Sequence, residues 1–177
     1  MSILTSDPGF GRGQTLGVSD AVSGKSVTGT QKVFIDADPR TNKSGVNYSN
    51  RTVTCIAVRN TSSGAILPGA VVKFKAAALL DEVDGAAANA VGLVGVVDEY
   101  LPATGCAVND VCWVVVSGPT AITTSATLAA GASLTATAGK AAASDPAKPA
   151  EVIGYALAAP AGGVVRALVG PKNGHSA

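Results

Sequence analysis

Short apolar runs rich in valine alternate with turn residues along the chain from residue 51 onward. The clearest alternation is at Ala70–Lys75, where Val72 and Phe74 share one face and two lysines share the other. Runs of this kind, spaced by about ten residues and bounded by glycine and proline, predict an all-β fold, either a small β-barrel or a β-sandwich. The predicted strands are 32–35, 52–59, 70–75, 91–97, 111–116, 120–124, 133–136, 151–157 and 164–169.

Residues 91–117 hold the strongest pair of predicted strands, Val91–Val97 and Val111–Val116, around a turn that contains Pro102. Both strands are apolar on both faces, whereas a strand of a lone two-layer sandwich shows one polar face to water. We therefore expect one face of this hairpin, with Trp113, to pack the core of the subunit and the other to meet a sister subunit.

Residues 1–50 differ from the rest of the chain, because they are rich in glycine, serine and threonine and lack helical periodicity. We interpret residues 1–31 as an extended arm without a core of its own, which is either disordered or ordered on a partner. Residues 36–50 are predicted to form a polar loop. The chain then divides into an N-terminal arm and loop (1–50), a β-rich core (51–171) and a polar tail (172–177).

Two segments inside the predicted core carry weaker signals. Residues 76–90 fit a short helix and an acidic loop equally well, since Gly85 would stop a helix there. Residues 138–149 contain two prolines and are predicted to form a loop.

The composition limits the partners of the chain. It is 47% hydrophobic but only 4% aromatic, so its core is built from small side chains, and we expect subunit contacts to add stability. Only 14% of the residues are charged, with a net charge of +1 and scattered basic residues, which argues against nucleic-acid binding. The sequence contains no apolar run of membrane-spanning length and no recognisable secretory signal, so we expect no membrane partner.

No catalytic motif is present. His175 is the only histidine and lies in the polar tail, whereas a nucleophile–base pair would need it held in a cleft. The Ser23–Ser26 segment resembles the end of a phosphate-binding loop, but the required upstream glycine is Ser19. We therefore expect no enzymatic activity and no nucleotide cofactor.

The sequence gives equally little indication of a metal site or a disulfide. The acidic groups at Asp36 and Asp38 and at 81–84 lack the spacing of a cation-binding loop and are interpreted as solvated carboxylates. Cys106 and Cys112 could face each other across the turn, but an odd total of three cysteines, with Cys55, favours buried free thiols. No metal or other cofactor is expected.

The segments within residues 69–170 resemble a family with a structural role. They are Gly69–Phe74, Val91–Val97, Val111–Thr120, Gly131–Leu134, Val152–Leu157 and Gly163–Val169. Their pattern resembles the capsid decoration (cement, capsid-stabilising) proteins of tailed bacteriophages. The resemblance implies a small β-barrel or β-sandwich that is made in the host cytoplasm and binds the outer capsid surface of the virion. There it would clamp neighbouring major capsid subunits, as a homo-oligomer that is more commonly a trimer than a dimer.

Five residues are candidate contacts with the capsid or with a second subunit. Tyr100, Leu101 and Pro102 lie in the turn of the central hairpin, and tyrosine is enriched at protein interfaces. Phe10 and Arg12 lie in the predicted arm, which would reach across the seams between capsid subunits.

An alternative function is a head-fibre or tail-associated receptor-binding module, which shares the β-rich composition. Such a module would need exposed aromatic side chains for stacking on sugars. The three tyrosines, three phenylalanines and one tryptophan of the chain supply few of them.

Overall fold

A computed structural model describes residues 9–17, 27–37, 51–75, 81–85, 92–144 and 152–170. The regular structure in these ranges is entirely β, which confirms the all-β prediction. The strands are Gln31–Ile35 (β1), Thr52–Asn60 (β2), Val71–Phe74 (β3), Glu82–Gly85 (β4), Leu93–Val97 (β5), Val111–Thr123 (β6), Ser133–Thr137 (β7), Lys140–Ala143 (β8), Gly154–Ala156 (β9) and Val164–Val169 (β10). Within the described ranges, no helix has the length and apolar character needed to cross a membrane.

Five strands close into a small barrel in the order β2, β4, β3, β5 and β6, because β6 returns to pair with β2. All pairs in this ring are antiparallel except β2–β4, which is a short parallel pair. Every ring strand contributes at least one side chain to a single apolar cluster, which therefore fills the interior. We call it the barrel core; its buried members are Val58, Ile66, Val72, Val83, Val97, Leu101, Cys106, Cys112 and Val114.

A second sheet continues from the barrel in the order β6, β10, β9, β7 and β8. The single strand β6 belongs to both layers, because residues 111–117 pair with β2 and residues 118–123 pair with β10. The change occurs at Gly118, which has φ of +112° and approaches β2 so closely that a Cβ would lie 2.7 Å from the Thr52 carbonyl oxygen. Only glycine fits both demands. The two strands predicted at 111–116 and 120–124 are thus one.

A larger apolar cluster, here called the interlayer core, lies between the outside of the barrel and the second sheet. Side-chain alternation along β6 divides the two cores, since Cys112 and Val114 point into the barrel while Trp113 and Val115 point to the second sheet. Where the structure describes its side chains, the central hairpin is therefore buried on both apolar faces inside one subunit. The expectation that one of them meets a sister subunit is wrong, because the second sheet already covers it.

The remaining predicted segments agree with the structure at two strands and differ from it within residues 76–149. The short strand at 32–35 is confirmed as β1, and the last predicted strand matches β10. The open choice between helix and loop at 76–90 is resolved for Glu82–Gly85, which forms β4 between β2 and β3. The predicted loop 138–149 begins with β8, which pairs with β7. The phosphate-loop-like segment Ser23–Ser26, Asp38, His175 and the tail lie outside the described residues.

Candidate functional site

Two loops meet at one end of the barrel and are fastened to each other by the buried side chain of Asn60. Its Nδ2 donates hydrogen bonds to the carbonyl oxygens of Gly64 (2.9 Å), Cys106 (2.9 Å) and Ala107 (3.2 Å). Its Oδ1 accepts a hydrogen bond from the Ser62 amide at 2.9 Å. One asparagine at the end of β2 therefore satisfies polar groups in both loops and fixes their relative position.

The backbones of these loops also pair directly. Ile66 and Cys106 exchange two hydrogen bonds of 3.0 and 2.9 Å, and Gly105 packs so tightly on Ile66 that a Cβ there would lie 2.3 Å from its carbonyl oxygen. This geometry requires glycine at position 105, which also has a positive φ of +73°. The loops thus form a fixed surface.

We define the barrel-end surface as Ser63–Leu67 together with Pro102–Asn109. It contains no charged residue. Leu67 and Val108 are exposed on it, as is Pro102. Sequence reasoning found Pro102 but missed Leu67 and Val108. The available signal was the presence of isolated large apolar residues inside turn segments, where no strand pattern requires them.

The other predicted contact residues are buried in the subunit. Phe10 stacks on Trp113 with ring centroids 4.7 Å apart, and the indole Nε1 donates a 3.2 Å hydrogen bond to the Phe10 carbonyl oxygen. Leu16 exchanges two hydrogen bonds of 2.9 Å with Val111 at the start of β6. Within the predicted arm (1–31), the segment Gly9–Gly17 therefore packs on the interlayer core through Phe10 and Leu16. The prediction that the arm is disordered or ordered only on a partner is wrong for these residues, because they are ordered against their own subunit.

Arg12 enters a buried cluster of ionisable groups beside Asp98. Its Nε donates a 2.9 Å hydrogen bond to Asp98 Oδ1, and the Gly13 amide donates one of 2.6 Å to Oδ2. Arg12 Nη2 lies 2.8 Å from Asp98 Oδ1, at ion-pair distance but without hydrogen-bond geometry. The guanidinium also lies over the Tyr100 ring, 4.5 Å from its centroid.

A second arginine joins the cluster from β10. Arg166 donates two hydrogen bonds of 3.1 Å to the Glu99 carboxylate and one of 3.0 Å to Asp36 Oδ2. Asp36 is fully buried, so its interpretation as a solvated loop carboxylate is wrong. The cluster joins the N-terminal segment, the end of β1, the turn after β5 and β10 into one network, which we call the ion cluster; its members are Arg12, Asp36, Asp98, Glu99 and Arg166.

Burial controls the protonation of this region. It raises the pKa of Glu99, an effect that the neighbouring Arg166 and Arg12 only partly oppose. Burial also raises the pKa of the Cys55 thiol to about 12, and it raises the pKa of the Tyr100 phenol. Burial alone would lower the pKa of Arg12, but the Asp98 carboxylate and its neighbours reverse the effect and raise it. Cys55, Tyr100 and Arg12 therefore keep their protons at neutral pH.

The five predicted contacts thus divide sharply. Phe10, Arg12, Tyr100 and Leu101 are buried, and Pro102 is exposed. Contact of any of them with a capsid or a second subunit stays a prediction.

The three cysteines are free and buried, as expected. Cys106 and Cys112 both lie in the barrel core, and a side-chain hydrogen bond between them, together with burial, raises the pKa of Cys112 well above its ordinary value. Among the described residues, no group of three or more histidine, cysteine, aspartate or glutamate side chains could hold a metal ion.

No protein-family model and no curated protein matches the chain. Among solved structures, the chain is similar to the N base of the head fibre gp8.5 of bacteriophage phi29, with 19% sequence identity and a TM-score of 0.46. The similarity covers 70% of this chain and 99% of that chain.

Proposed function

We propose that this chain is a non-enzymatic structural protein of a bacteriophage virion. In this proposal it binds the outer surface of the capsid and clamps neighbouring major capsid subunits. The starting point is the resemblance of residues 69–170 to capsid decoration proteins. The resembling segments overlap β3, β5 and β6 of the barrel and β7, β9 and β10 of the second sheet. The resemblance therefore extends over both layers.

The observation that carries the proposal is the barrel-end surface. A protein that grips a preformed shell benefits from a contact surface that is already ordered, because little conformational entropy is then lost on binding. The bonds of Asn60 order these loops in the free subunit. The exposed apolar groups of Leu67 and Val108 are desolvated at little cost, since no charge lies beside them in the two loops.

Clamping also requires contact with more than one capsid subunit. A second set of exposed apolar side chains lies in the second sheet region, at Tyr155, Leu157 and Val164. Strand β6 runs through both layers, so this set and the barrel-end surface belong to one continuous β-structure. Two separate apolar surfaces on one core support a clamp better than a single-site binder.

The test is electron microscopy of virions that carry either the wild-type chain or a variant. In the Leu67→Lys/Val108→Lys double variant, the contact would bury two unpaired ammonium groups, so we expect head occupancy to fall at least about tenfold. The Thr127→Lys variant places one such positive charge at an exposed position outside both surfaces and should bind normally. Fluorescence of the buried Trp113 verifies folding.

Two results would contradict the proposal: no density for the wild-type chain on the head, or full occupancy by the double variant. Deletion of residues 1–31 is a poor test, because it removes Phe10 from the interlayer core and Arg12 from the ion cluster and so confounds binding with folding.

The alternative, a head-fibre or tail-associated receptor-binding module, predicts an aromatic platform. In the described part of the chain, Tyr155 is the only exposed aromatic side chain, while Phe10, Tyr100 and Trp113 are buried. This favours the capsid-binding role over sugar binding. Density that projects from the head as a fibre, together with binding on a glycan array, would favour the alternative.

A further inference from the structure

Strand β1 presents an open edge with exposed apolar side chains. It is the first strand in the order of the sheet, and in the part of the chain that the structure describes no strand pairs with its outer edge. Val33 and Ile35 are 61% and 63% exposed, more than any other large hydrophobic residue described. Proteins usually protect such an edge, because it is a template for pairing with another strand.

The pairing with β2 decides which backbone groups point outward. The Ala57 amide donates to the Thr30 carbonyl (2.9 Å) and the Asp36 amide donates to the Arg51 carbonyl (2.7 Å), so even-numbered residues of this segment bond to β2. In an antiparallel ladder the intervening residues direct their amide and carbonyl groups to the other side. The backbone groups of Gln31 and Val33 therefore face the open edge.

The inner face of β1 packs on the interlayer core, which holds the strand in position. Phe34 lies on the inner face of β1, edge-on to Trp113 with ring centroids 5.2 Å apart. The Lys32 ammonium lies 5.4 Å from the centroid of the Phe34 ring, on the face opposite to Val33. A lysine on an edge strand often prevents pairing with another strand, but the Lys32 side chain lies along the inner face of β1.

We propose that β1 pairs antiparallel with β1 of a second copy of this chain, about a two-fold axis at Val33. This register places Val33 against its own copy and Gln31 against Ile35 of the second copy. The Val33 pair uses outward-facing backbone groups on both strands, which only a register between odd-numbered residues allows. The Ile35 carbonyl already accepts a 2.8 Å hydrogen bond from the Ala37 amide, so the Gln31–Ile35 pair adds only the bond from the Ile35 amide to the Gln31 carbonyl. Lys32 then lies opposite Phe34 of the second copy, so no like charges meet across the axis.

The contact is isologous and produces a dimer, whereas the resemblance to decoration proteins favours a trimer. A five-residue strand pair buries far less than the roughly 1,200 Å² of a standard stable interface, so we expect association only at high protein concentration. The inference does not depend on capsid binding, because its test uses the purified protein alone.

Two cysteine variants at equally exposed positions test the register. With the axis at Val33, the two copies of Val33→Cys have Cα atoms about 5.5 Å apart, within the range of about 4.4–6.8 Å that a disulfide bridges. The two copies of Ile35→Cys lie about 14 Å apart. Mild oxidation should therefore cross-link Val33→Cys at least tenfold faster than Ile35→Cys. The three native cysteines are buried and should not compete in the folded protein.

Sedimentation of the wild-type chain at increasing concentration supplies the second measurement. We expect a monomer–dimer equilibrium that Val33→Lys abolishes, because it places two ammonium groups at the axis, and that Thr127→Lys leaves unchanged. The proposal is overturned by a wild-type chain that stays monomeric or forms trimers, or by equal cross-linking of the two cysteine variants. Trp113 fluorescence confirms that each variant is folded.

Discussion

The barrel core and the interlayer core share strands but are built differently. The buried members of the barrel core are aliphatic side chains and two cysteines from the ring strands and their loops. The interlayer core also draws on the N-terminal segment, β1 and the second sheet, and it includes the aromatic side chains of Phe10, Phe34 and Trp113. Alternating apolar residues suffice to fill a barrel, whereas the interlayer core needs specific partners from distant parts of the chain.

This difference predicts where the fold is vulnerable. In a chain with 4% aromatic residues, three of its few rings meet at one point around Trp113. The ion cluster includes Arg12, which lies in the same N-terminal segment as Phe10. Removal of one partner from a buried ion pair leaves the other charge buried and unpaired, which is strongly destabilising. Single substitutions in the interlayer core should therefore cost more than comparable ones in the barrel core.

The largest effect is expected from Trp113→Ala. It removes the stacking with Phe10, the edge contact with Phe34 and the hydrogen bond to the Phe10 carbonyl, and it should lower the free energy of unfolding by about 3–5 kcal/mol. The matched comparison is Val115→Ala against Val114→Ala, because these neighbours in β6 undergo the same truncation but face the interlayer core and the barrel core, respectively. Urea denaturation measures all three variants. Equal losses for the two valine variants would remove the distinction between the cores.

A smaller loss, about 3 kcal/mol, is expected from Arg12→Met, because it leaves the buried Asp98 carboxylate without its cation. The double variant Arg12→Met/Asp98→Asn should regain part of the loss, since no unpaired buried charge remains at this pair. Lys140→Met removes an exposed cation of β8 and should change the unfolding free energy by less than about 0.5 kcal/mol. A double variant less stable than Arg12→Met alone would show that the ion pair is not the cause.

The smallest effect concerns the pH dependence of stability. Burial raises the pKa of Glu99 in the folded state, so the folded chain binds this proton more tightly than the unfolded chain. Its contribution to stability is therefore complete below the ordinary glutamate pKa and is lost as the pH rises through the raised value. Glu99→Gln should remove this part of the slope. The measurement is the unfolding free energy of both proteins across the acidic range; identical slopes would contradict the assignment.

Local sequence patterns predicted the strands that can be identified without knowledge of their partners in the sheet. Val164–Val169 is correct to the residue because the apolar positions Val165, Ala167 and Val169 alternate along it, and the hairpin strands follow from β-branched runs. β4 and β8 escaped prediction, since EVDG and KAAA have little intrinsic strand preference and become strands only through pairing with β3 and β7. Pairing partners of that kind are invisible to a local pattern.

The N-terminal segment shows the same limit more strongly. Asp98, the partner of Arg12, is 86 residues away, and Trp113, the partner of Phe10, is 103 residues away. No local sequence pattern therefore indicates that Arg12 and Phe10 are buried. A glycine-rich segment with isolated apolar residues therefore looks like a free arm. For the candidate surface, the turn chemistry identified Pro102. The pairing of its loop with Ile66, which brings the neighbouring Leu67 to the same surface, could be seen only in the fold.

The continuity of β6 has a mechanical consequence. A pull between the barrel-end surface and the second sheet runs along the covalent backbone from Val111 to Thr123, and Gly118 lies in the middle of that path. Separation of the two layers must therefore break the hydrogen bonds of β6 with β2 or with β10 one after another. The two layers therefore do not behave as independent modules.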